Sequence, residues 1–96
     1  MHYALICRDT PKALEKRLAA RIEHLEKIHS MKGDGIIIDG GGILDDNGEM
    51  IGSVVLCDFP NRAALDDYLK NEIYVRNGVW QDIEILPFKR VNWSNT

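Results

Sequence analysis

The order in which strand-like and helix-like segments follow one another is the strongest constraint on how this 96-residue chain can fold. Segments rich in apolar and β-branched residues predict strands, and segments with apolar residues every three or four positions predict helices. The predicted strands are residues 2–8, 35–44, 51–58 and 79–88, and the predicted helices are residues 11–31 and 62–70. The predicted element order is therefore β-α-β-β-α-β.

This order predicts an α+β fold of the ferredoxin-like, split βαβ kind. Such a fold has a four-stranded antiparallel sheet with two helices on one face. Two independent cores would need roughly twice the length of this chain. The sequence contains no internal linker or repeat, so residues 1–96 are expected to form a single domain.

Both faces of the predicted sheet carry apolar side chains. In the first strand Leu5 and Cys7 alternate with Ala4 and Ile6. Two helices cover only one face of a sheet, and monomers rarely leave a large apolar patch exposed to water. We therefore expect a homodimer in which two sheets pack face to face, with higher assembly left open.

Charge and composition exclude several functional classes. A net charge of −3 is a poor match for nucleic acid, and the apolar stretches are too short to span a membrane. The chain starts without a signal-peptide pattern, which predicts a reducing, cytoplasmic location, and Cys7 and Cys57 are expected to be buried free thiols. No cofactor-binding or metal-binding motif is present, so we expect no cofactor.

The first predicted helix carries a regular apolar stripe. It is expected to begin at Thr10-Pro11, a hydroxyl cap followed by proline. We expect the stripe to face the sheet, so that replacing one of its leucines with alanine costs about 2–5 kcal/mol. The stripe consists of Leu14, Leu18, Ile22, Leu25 and Ile28.

Three polar residues, Arg17, Arg21 and His24, lie on one flank of this stripe. They could form a small wall that recognises an anion. The alternative is that the arginines lie over the edge of the core and His24 is a partly buried helix residue. Glu72 and Tyr74, in the connector before the last strand, could place a carboxylate beside the imidazole, an arrangement suited to acid–base chemistry.

Several short motifs together resemble the YCII-related family of small bacterial proteins, over nearly the whole chain. These motifs are Tyr3-Ala4-Leu5-Ile6, Leu14-Glu15-Lys16-Arg17-Leu18 with Arg21 and His24-Leu25, Gly40-Gly41, Gly52-Ser53, Tyr74-Val75, Gly78-Val79 and Ile85-Leu86-Pro87-Phe88-Lys89-Arg90-Val91. The resemblance implies a ferredoxin-like subunit, a face-to-face dimer of the dimeric α+β barrel kind and a His/Asp active site.

The same resemblance assigns site residues. The histidine is His24, and the acidic partner comes from the family's Asp-Pro-Tyr segment, which here is Glu72-Ile73-Tyr74. The substituted glutamate is one methylene longer, and the proline that restrains the preceding backbone is missing. Asp39, directly before Gly40, is a second candidate carboxylate.

The leading hypothesis is a cofactor-free enzyme of lyase or isomerase type that acts on a small anionic or hydroxylated organic molecule. His24 would be the acid or base, Glu72 or Asp39 would orient it, and Arg21 with Arg17 would hold negative charge. Ser53 and Tyr74 could donate hydrogen bonds. A monooxygenase, a non-catalytic small-molecule-binding dimer and a purely structural dimer remain alternatives.

Overall fold

The described residues form a four-stranded antiparallel sheet and three helices. The computed structural model describes residues 1–95, and Thr96, the last residue of the predicted domain, lies outside the described residues. The strands are β1 (His2–Asp9), β2 (Ile37–Leu44), β3 (Met50–Asp58) and β4 (Trp80–Phe88). The helices are α1 (Leu14–Gly33), α2 (Arg62–Asn71) and the short α3 (Ile73–Arg76), and a 3₁₀ turn covers Trp93–Asn95. The predicted order is confirmed, and α3 is added within the predicted connector.

The strands lie in the order β2-β3-β1-β4, so β1 and β3 are central and β2 is an edge strand. Leu5 in β1 is opposite Val55 in β3 and Ile85 in β4, which places all three on one face. The side chains of this face pack with residues of α1 and α2 into one hydrophobic core. The buried core therefore lies between the sheet and the helices, as the ferredoxin-like arrangement requires.

The opposite face of the sheet is also apolar. Ile6 and Leu56 are half-buried there, and Leu86 and Phe88 are exposed. Ala4 lies opposite both Leu56 and Leu86, which places them on one surface. The predicted two-sided apolar character of the sheet is therefore present in the structure.

Helix α1 is rotated relative to the predicted orientation. Leu18, Ile22 and Leu25 are 56%, 76% and 45% exposed, so the prediction that this stripe faces the sheet is wrong. The buried face of α1 instead carries Arg17, Ala20, His24 and Met31. Polar groups occupy a buried face at low cost when they have partners of opposite charge, and Arg17 and His24 both have such partners.

The ends of the helices agree only in part with the sequence. The predicted start of α1 at Thr10-Pro11 is wrong, because the helix begins at Leu14 and the Thr10 hydroxyl donates to the Gly78 carbonyl at 2.9 Å. Lys12, with φ of 61°, separates Pro11 from the helix. Asn61 caps α2 as expected, accepting from the Ala64 N–H at 2.9 Å.

Both cysteines lie in the core. Burial raises the pKa of the Cys7 thiol to about 12 and that of Cys57 to about 11. The thiols therefore stay protonated and unreactive, as the sequence predicts. Among residues 1–95, no helix is long and apolar enough to cross a membrane.

Candidate functional site

A cavity of about 270 Å³ lies between α1 and the neighbouring strands β2 and β3. Its lining includes six of the seven side chains that sequence reasoning proposed, namely Arg17, Arg21, His24, Asp39, Ser53 and Tyr74. The seventh, Glu72, lies behind His24 and is only 3% exposed. The topology therefore gathers residues that are far apart in the sequence around one small space.

The centre of the site is a close pair formed by His24 and Glu72. The Nδ1 atom of His24 lies 2.6 Å from Oε1 of Glu72, and both side chains are buried. A carboxylate accepts hydrogen bonds, so Nδ1 carries the proton of this bond. Nε2 of His24 forms no hydrogen bond with any residue that the structure describes, and the ring lines the cavity.

Glu72 is held from several directions. It is the residue between α2 and α3, and its Oε1 also accepts from the Tyr74 backbone N–H at 3.4 Å at the start of α3. The Tyr68 hydroxyl donates to Oε2 at 2.5 Å. Burial alone would raise the pKa of Glu72, but these hydrogen bonds and the interaction with His24 outweigh it and hold the pKa below its ordinary value of 4.5. Glu72 is therefore a fixed carboxylate.

Aromatic contacts fix the plane of the imidazole. The ring of His24 stacks on that of Tyr74, with centroids 3.9 Å apart and 8° between the planes. Trp80 meets both rings edge-on, at 5.8 Å from His24 and 5.5 Å from Tyr74. Burial raises the pKa of Tyr74, so its phenol stays neutral. The imidazole is thus restrained both by a hydrogen bond and by ring packing.

Arg17 is buried and committed to protein partners. Its guanidinium donates to both carboxylate oxygens of Asp9, at 2.7 and 2.9 Å, and to the Ser53 hydroxyl at 2.9 Å. It also lies over the Tyr74 ring, 4.9 Å from the centroid. Burial would lower the pKa of Arg17, but Asp9 outweighs this effect and raises it. The charge of Arg17 is therefore balanced inside the protein.

The exposed lining residues form the mouth of the cavity. Arg21, Leu25 and Lys32 border it on α1, and Asp39 and the glycines 40–42 border it on the edge strand β2. Asp39 accepts from the Gly40 N–H at 2.8 Å and makes no hydrogen bond with His24. Of the two candidate carboxylates, the structure pairs Glu72 with the imidazole and leaves Asp39 at the mouth.

The glycines of β2 let the wall of the cavity lie close to the neighbouring strand. A Cβ atom added at Gly40 would lie 2.8 Å from the Val54 carbonyl oxygen, too close for any side chain. Along the glycines 40–42 the mouth is consequently lined by backbone, with the Asp39 side chain beside it.

Sequence reasoning missed three residues of the site. Asp9 and Trp80 reach it from neighbouring strands, and no sequence spacing indicates their contacts. Tyr68 lies four positions before Glu72, the spacing at which residues at the end of a helix share a face, so this partner was detectable. All three contact the proposed site residues from behind and do not line the cavity themselves.

The arrangement is suited to proton transfer at one atom. With its Nδ1 proton held by Glu72, a neutral His24 presents Nε2 as a base, and a protonated ring presents Nε2–H as an acid. Arg21 and Lys32, neither of which forms an ion pair among the described residues, supply two positive charges at the mouth against the one negative charge of Asp39. A small molecule in the cavity would meet a proton acceptor, a cationic rim and an apolar wall together.

Comparisons with known proteins agree with this architecture. The model of the YCII-related domain matches residues 1–89. An uncharacterised protein of Haemophilus influenzae is 34% identical over 97 aligned positions, covering 95% of this chain and 99% of the relative, and the protein YciI of Escherichia coli O6:H1 is 29% identical with the same coverage.

A solved structure shares the fold. The 5-chloro-2-hydroxyhydroquinone dehydrochlorinase TftG of Burkholderia phenoliruptrix, in complex with 2,5-dihydroxybenzoquinone, superimposes with a TM-score of 0.85 at 19% identity. The alignment covers 97% of this chain and 98% of that one. The match of the domain model over most of the length, together with the Haemophilus relative, shows that the chain belongs to the YCII-related family.

Proposed function

We propose that the protein is an acid–base enzyme of lyase or isomerase type acting on a small anionic or hydroxylated organic molecule. The observation that carries this proposal is the His24–Glu72 pair at 2.6 Å, with Nε2 of His24 unbonded among the described residues and the ring lining a cavity. A carboxylate partner would also suit a buried histidine that served packing alone, but such a histidine would not need an open cavity beside its ring.

In this proposal His24 transfers the proton and Glu72 positions it. The carboxylate fixes the tautomer that leaves Nε2 free to accept, and it stabilises the imidazolium once the proton has been taken. Tyr68 and the Tyr74 backbone N–H keep the carboxylate in place. The reaction consists of removal of a proton by Nε2, followed by elimination or by return of the proton to another atom of the substrate.

Arg21 is the group we expect to hold the negative charge of the substrate. It is exposed at the mouth, and it has no ion pair among the described residues. Arg17, whose charge is balanced by Asp9, instead positions Ser53 and the Tyr74 ring. The Ser53 hydroxyl lines the cavity and can donate its own hydrogen to a substrate oxygen.

The size of the cavity favours small substrates. A space of about 270 Å³ is slightly below the usual range for drug-sized ligands and suits a single-ring molecule. The fold neighbour TftG is a dehydrochlorinase solved with a dihydroxylated quinone, and removal of HCl is an elimination of the proposed kind. This likeness supports placing hydroxylated rings among the first compounds to test.

We also propose that the working form is a homodimer through the outer face of the sheet. Ile6, Leu56, Leu86 and Phe88 present a connected apolar surface that the helices do not cover. Packing against the same face of a second copy would bury this surface. A charge introduced by Leu86→Glu should therefore dissociate the dimer in sedimentation experiments.

The experiment that tests the proposed activity has two steps. A thermal-shift screen of small carboxylates and hydroxylated monocyclic compounds is run on the wild type, on His24→Ala and on His29→Ala, an exposed histidine of the same helix. A ligand at 100 times its Kd adds about 2.7 kcal/mol of stability. Each hit is then incubated in D₂O, and deuterium incorporation and product formation are followed by NMR.

We expect conversion or deuterium uptake that His24→Ala abolishes and His29→Ala preserves. Turnover that survives in His24→Ala would overturn the mechanism. Binding that depends on Arg21 without exchange or conversion of any hit would instead favour a non-catalytic binding module.

A further inference from the structure

The middle of the apolar stripe of α1, formed by Leu18, Ile22 and Leu25, lies outside the hydrophobic core of the described residues. These side chains are exposed along one side of the helix, while the helix buries Arg17, Ala20, His24 and Met31 against the sheet. Single exposed leucines are ordinary, but a run at spacings of four and three is a helix-pairing pattern. The outer face of the sheet lies on the other side of the protein, so a dimer formed there would leave this stripe uncovered.

The stripe is continuous with the mouth of the cavity. Leu25 belongs both to the stripe and to the cavity lining, and Arg21 and Lys32 at the mouth lie along the same edge of the helix. A partner seated on the stripe would therefore also contact the entrance to the site. This continuity distinguishes the stripe from scattered apolar exposure elsewhere on the surface.

The charges beside the stripe indicate what fits it. By the 100° turn per residue of an α-helix, Arg21 lies along one flank and Glu26 lies along the other, while Glu15 and Lys32 lie in line with the stripe and mark its two ends. Two copies of α1 lying parallel about a two-fold axis along the helices would place the basic flank of each against the acidic flank of the other. An antiparallel pair would bring like charges together. The stripe is thus complementary to a second, parallel copy of itself.

The residue types agree with a parallel pair. In heptad terms Leu18 and Leu25 occupy d positions and Ile22 occupies the a position between them, the combination that favours parallel two-stranded packing. Arg21 then stands at a g position and faces Glu26, at an e position, of the second copy. Each two-fold pair would contain this contact twice.

We propose that the α1 stripe (Leu18, Ile22 and Leu25) is a second self-association surface, on which α1 of another copy packs in parallel beside the cavity mouth. Together with the proposed sheet interface it would produce assemblies larger than a dimer. The inference stands on the exposed stripe and its flanking charges, so it does not depend on the proton transfer proposed for His24, but in the assembled form Arg21 would pair with Glu26 of the second copy rather than with a substrate anion.

A cysteine cross-link tests the geometry. Cys7 and Cys57 are fully buried, so a cysteine introduced on α1 is the accessible thiol among the described residues. Ile22→Cys is compared under mild oxidation with Glu23→Cys, which points away from the stripe on the same turn. We expect a disulfide-linked dimer from Ile22→Cys and far less from Glu23→Cys. Equal cross-linking of the two variants would overturn the proposal.

Sedimentation of charge variants supplies an independent readout. Ile22→Glu should weaken self-association by about tenfold or more and reduce the assembly to one held by the sheet face alone. Arg21→Glu should weaken it as well, and adding Glu26→Arg should restore it, because the attraction across the parallel pair is then re-formed with reversed signs. An unchanged mass for Ile22→Glu, or no rescue by the double variant, would contradict the parallel α1 pair. Circular dichroism confirms that each variant is folded.

Discussion

The imidazole of His24 lies parallel to the phenol ring of Tyr74, with 3.9 Å between the ring centroids. This stack and the Glu72 hydrogen bond act on different parts of the same ring. The stack sets the plane, and the hydrogen bond sets the rotation within that plane. Two independent restraints of this kind leave Nε2 with one direction in which to meet a bound molecule.

The stack gives the first prediction. Tyr74→Phe keeps the ring and should leave the position of His24 unchanged, since the phenol oxygen makes only a 3.5 Å contact with the Arg17 carbonyl. Tyr74→Leu removes the stack and should lower the free energy of unfolding by roughly 2–4 kcal/mol, of which about 0.5–1.5 comes from the lost aromatic pair. Imidazole ¹⁵N spectra should show a displaced His24 only in Tyr74→Leu. Equal spectra for the two variants would show that the stack does not position the ring.

The second prediction concerns pH. Because the pKa of Glu72 is lower in the folded protein than its ordinary value of 4.5, its stabilisation is fully present above that value and is lost as pH falls through the folded pKa. Glu72→Gln should therefore be less stable than the wild type at pH 7, by about 1–3 kcal/mol, and the difference should shrink below pH 4.5. Urea unfolding from pH 3.5 to 7.5 measures this directly.

Glu23→Gln is the matched control, because Glu23 is exposed on α1, points away from the stripe and has no hydrogen bond or ion pair among residues 1–95. Its unfolding curves should follow those of the wild type at every pH. A Glu72→Gln curve that stays parallel to the wild type down to pH 3.5 would show that Glu72 is not the source of the pH dependence.

The third prediction concerns the buried ion pair of Arg17 and Asp9, whose side chains are 4% and 5% exposed. Asp9→Asn leaves the guanidinium charge buried without its partner and should cost about 3–5 kcal/mol. The double variant Asp9→Asn with Arg17→Met removes both charges and should recover much of this loss. The exposed pair of Arg62 and Asp66 is the comparison, and Asp66→Asn should cost less than about 0.5 kcal/mol.

The fourth prediction tests the observed orientation of α1 by comparing a buried leucine of α2 with an exposed leucine of α1. Leu65 is fully buried, so Leu65→Ala should lower stability by about 2–5 kcal/mol at every protein concentration. Leu18→Ala should cost less than about 1 kcal/mol in dilute solution, because Leu18 is already 56% exposed. Thermal melts over a range of protein concentrations test both expectations. A large loss of stability for Leu18→Ala at the lowest concentration would instead support the orientation predicted from the sequence, in which the stripe faces the sheet.

The sequence predicted the sheet and the element order because strand and helix periodicities are local signals. It failed on the orientation of α1 because the helix contains two competing faces. Counting apolar residues favours Leu18, Ile22 and Leu25, whereas Arg17 and His24 become buriable only when Asp9 and Glu72 arrive from other elements. The periodicity of a helix sequence shows how apolar each face is, but it does not show which partners the polar residues of a face will meet in the folded protein.

The candidate site was only partly predictable for the same reason. His24 and Glu72 are 48 positions apart, and the family resemblance, rather than spacing, brought them together. The resemblance assigns Glu72 as the acidic partner with Asp39 as a second candidate, and only the fold shows that Glu72 is the one paired with the imidazole. No spacing rule connects Trp80 with His24 or Tyr74. Its indole N–H is buried without a hydrogen-bond partner among the described residues.

Glu72 is attached to the backbone at the one position between α2 and α3. Helix α3 is four residues long, and a helix that short is not stable on its own. What holds α3 in place is the Tyr74 side chain, which is 1% exposed and belongs to the hydrophobic core. An opening of α3 would have to withdraw this ring from the core and would carry the carboxylate away from the imidazole. The geometry of the acid–base pair is thus as resistant to heat or denaturant as the packing of this one aromatic ring.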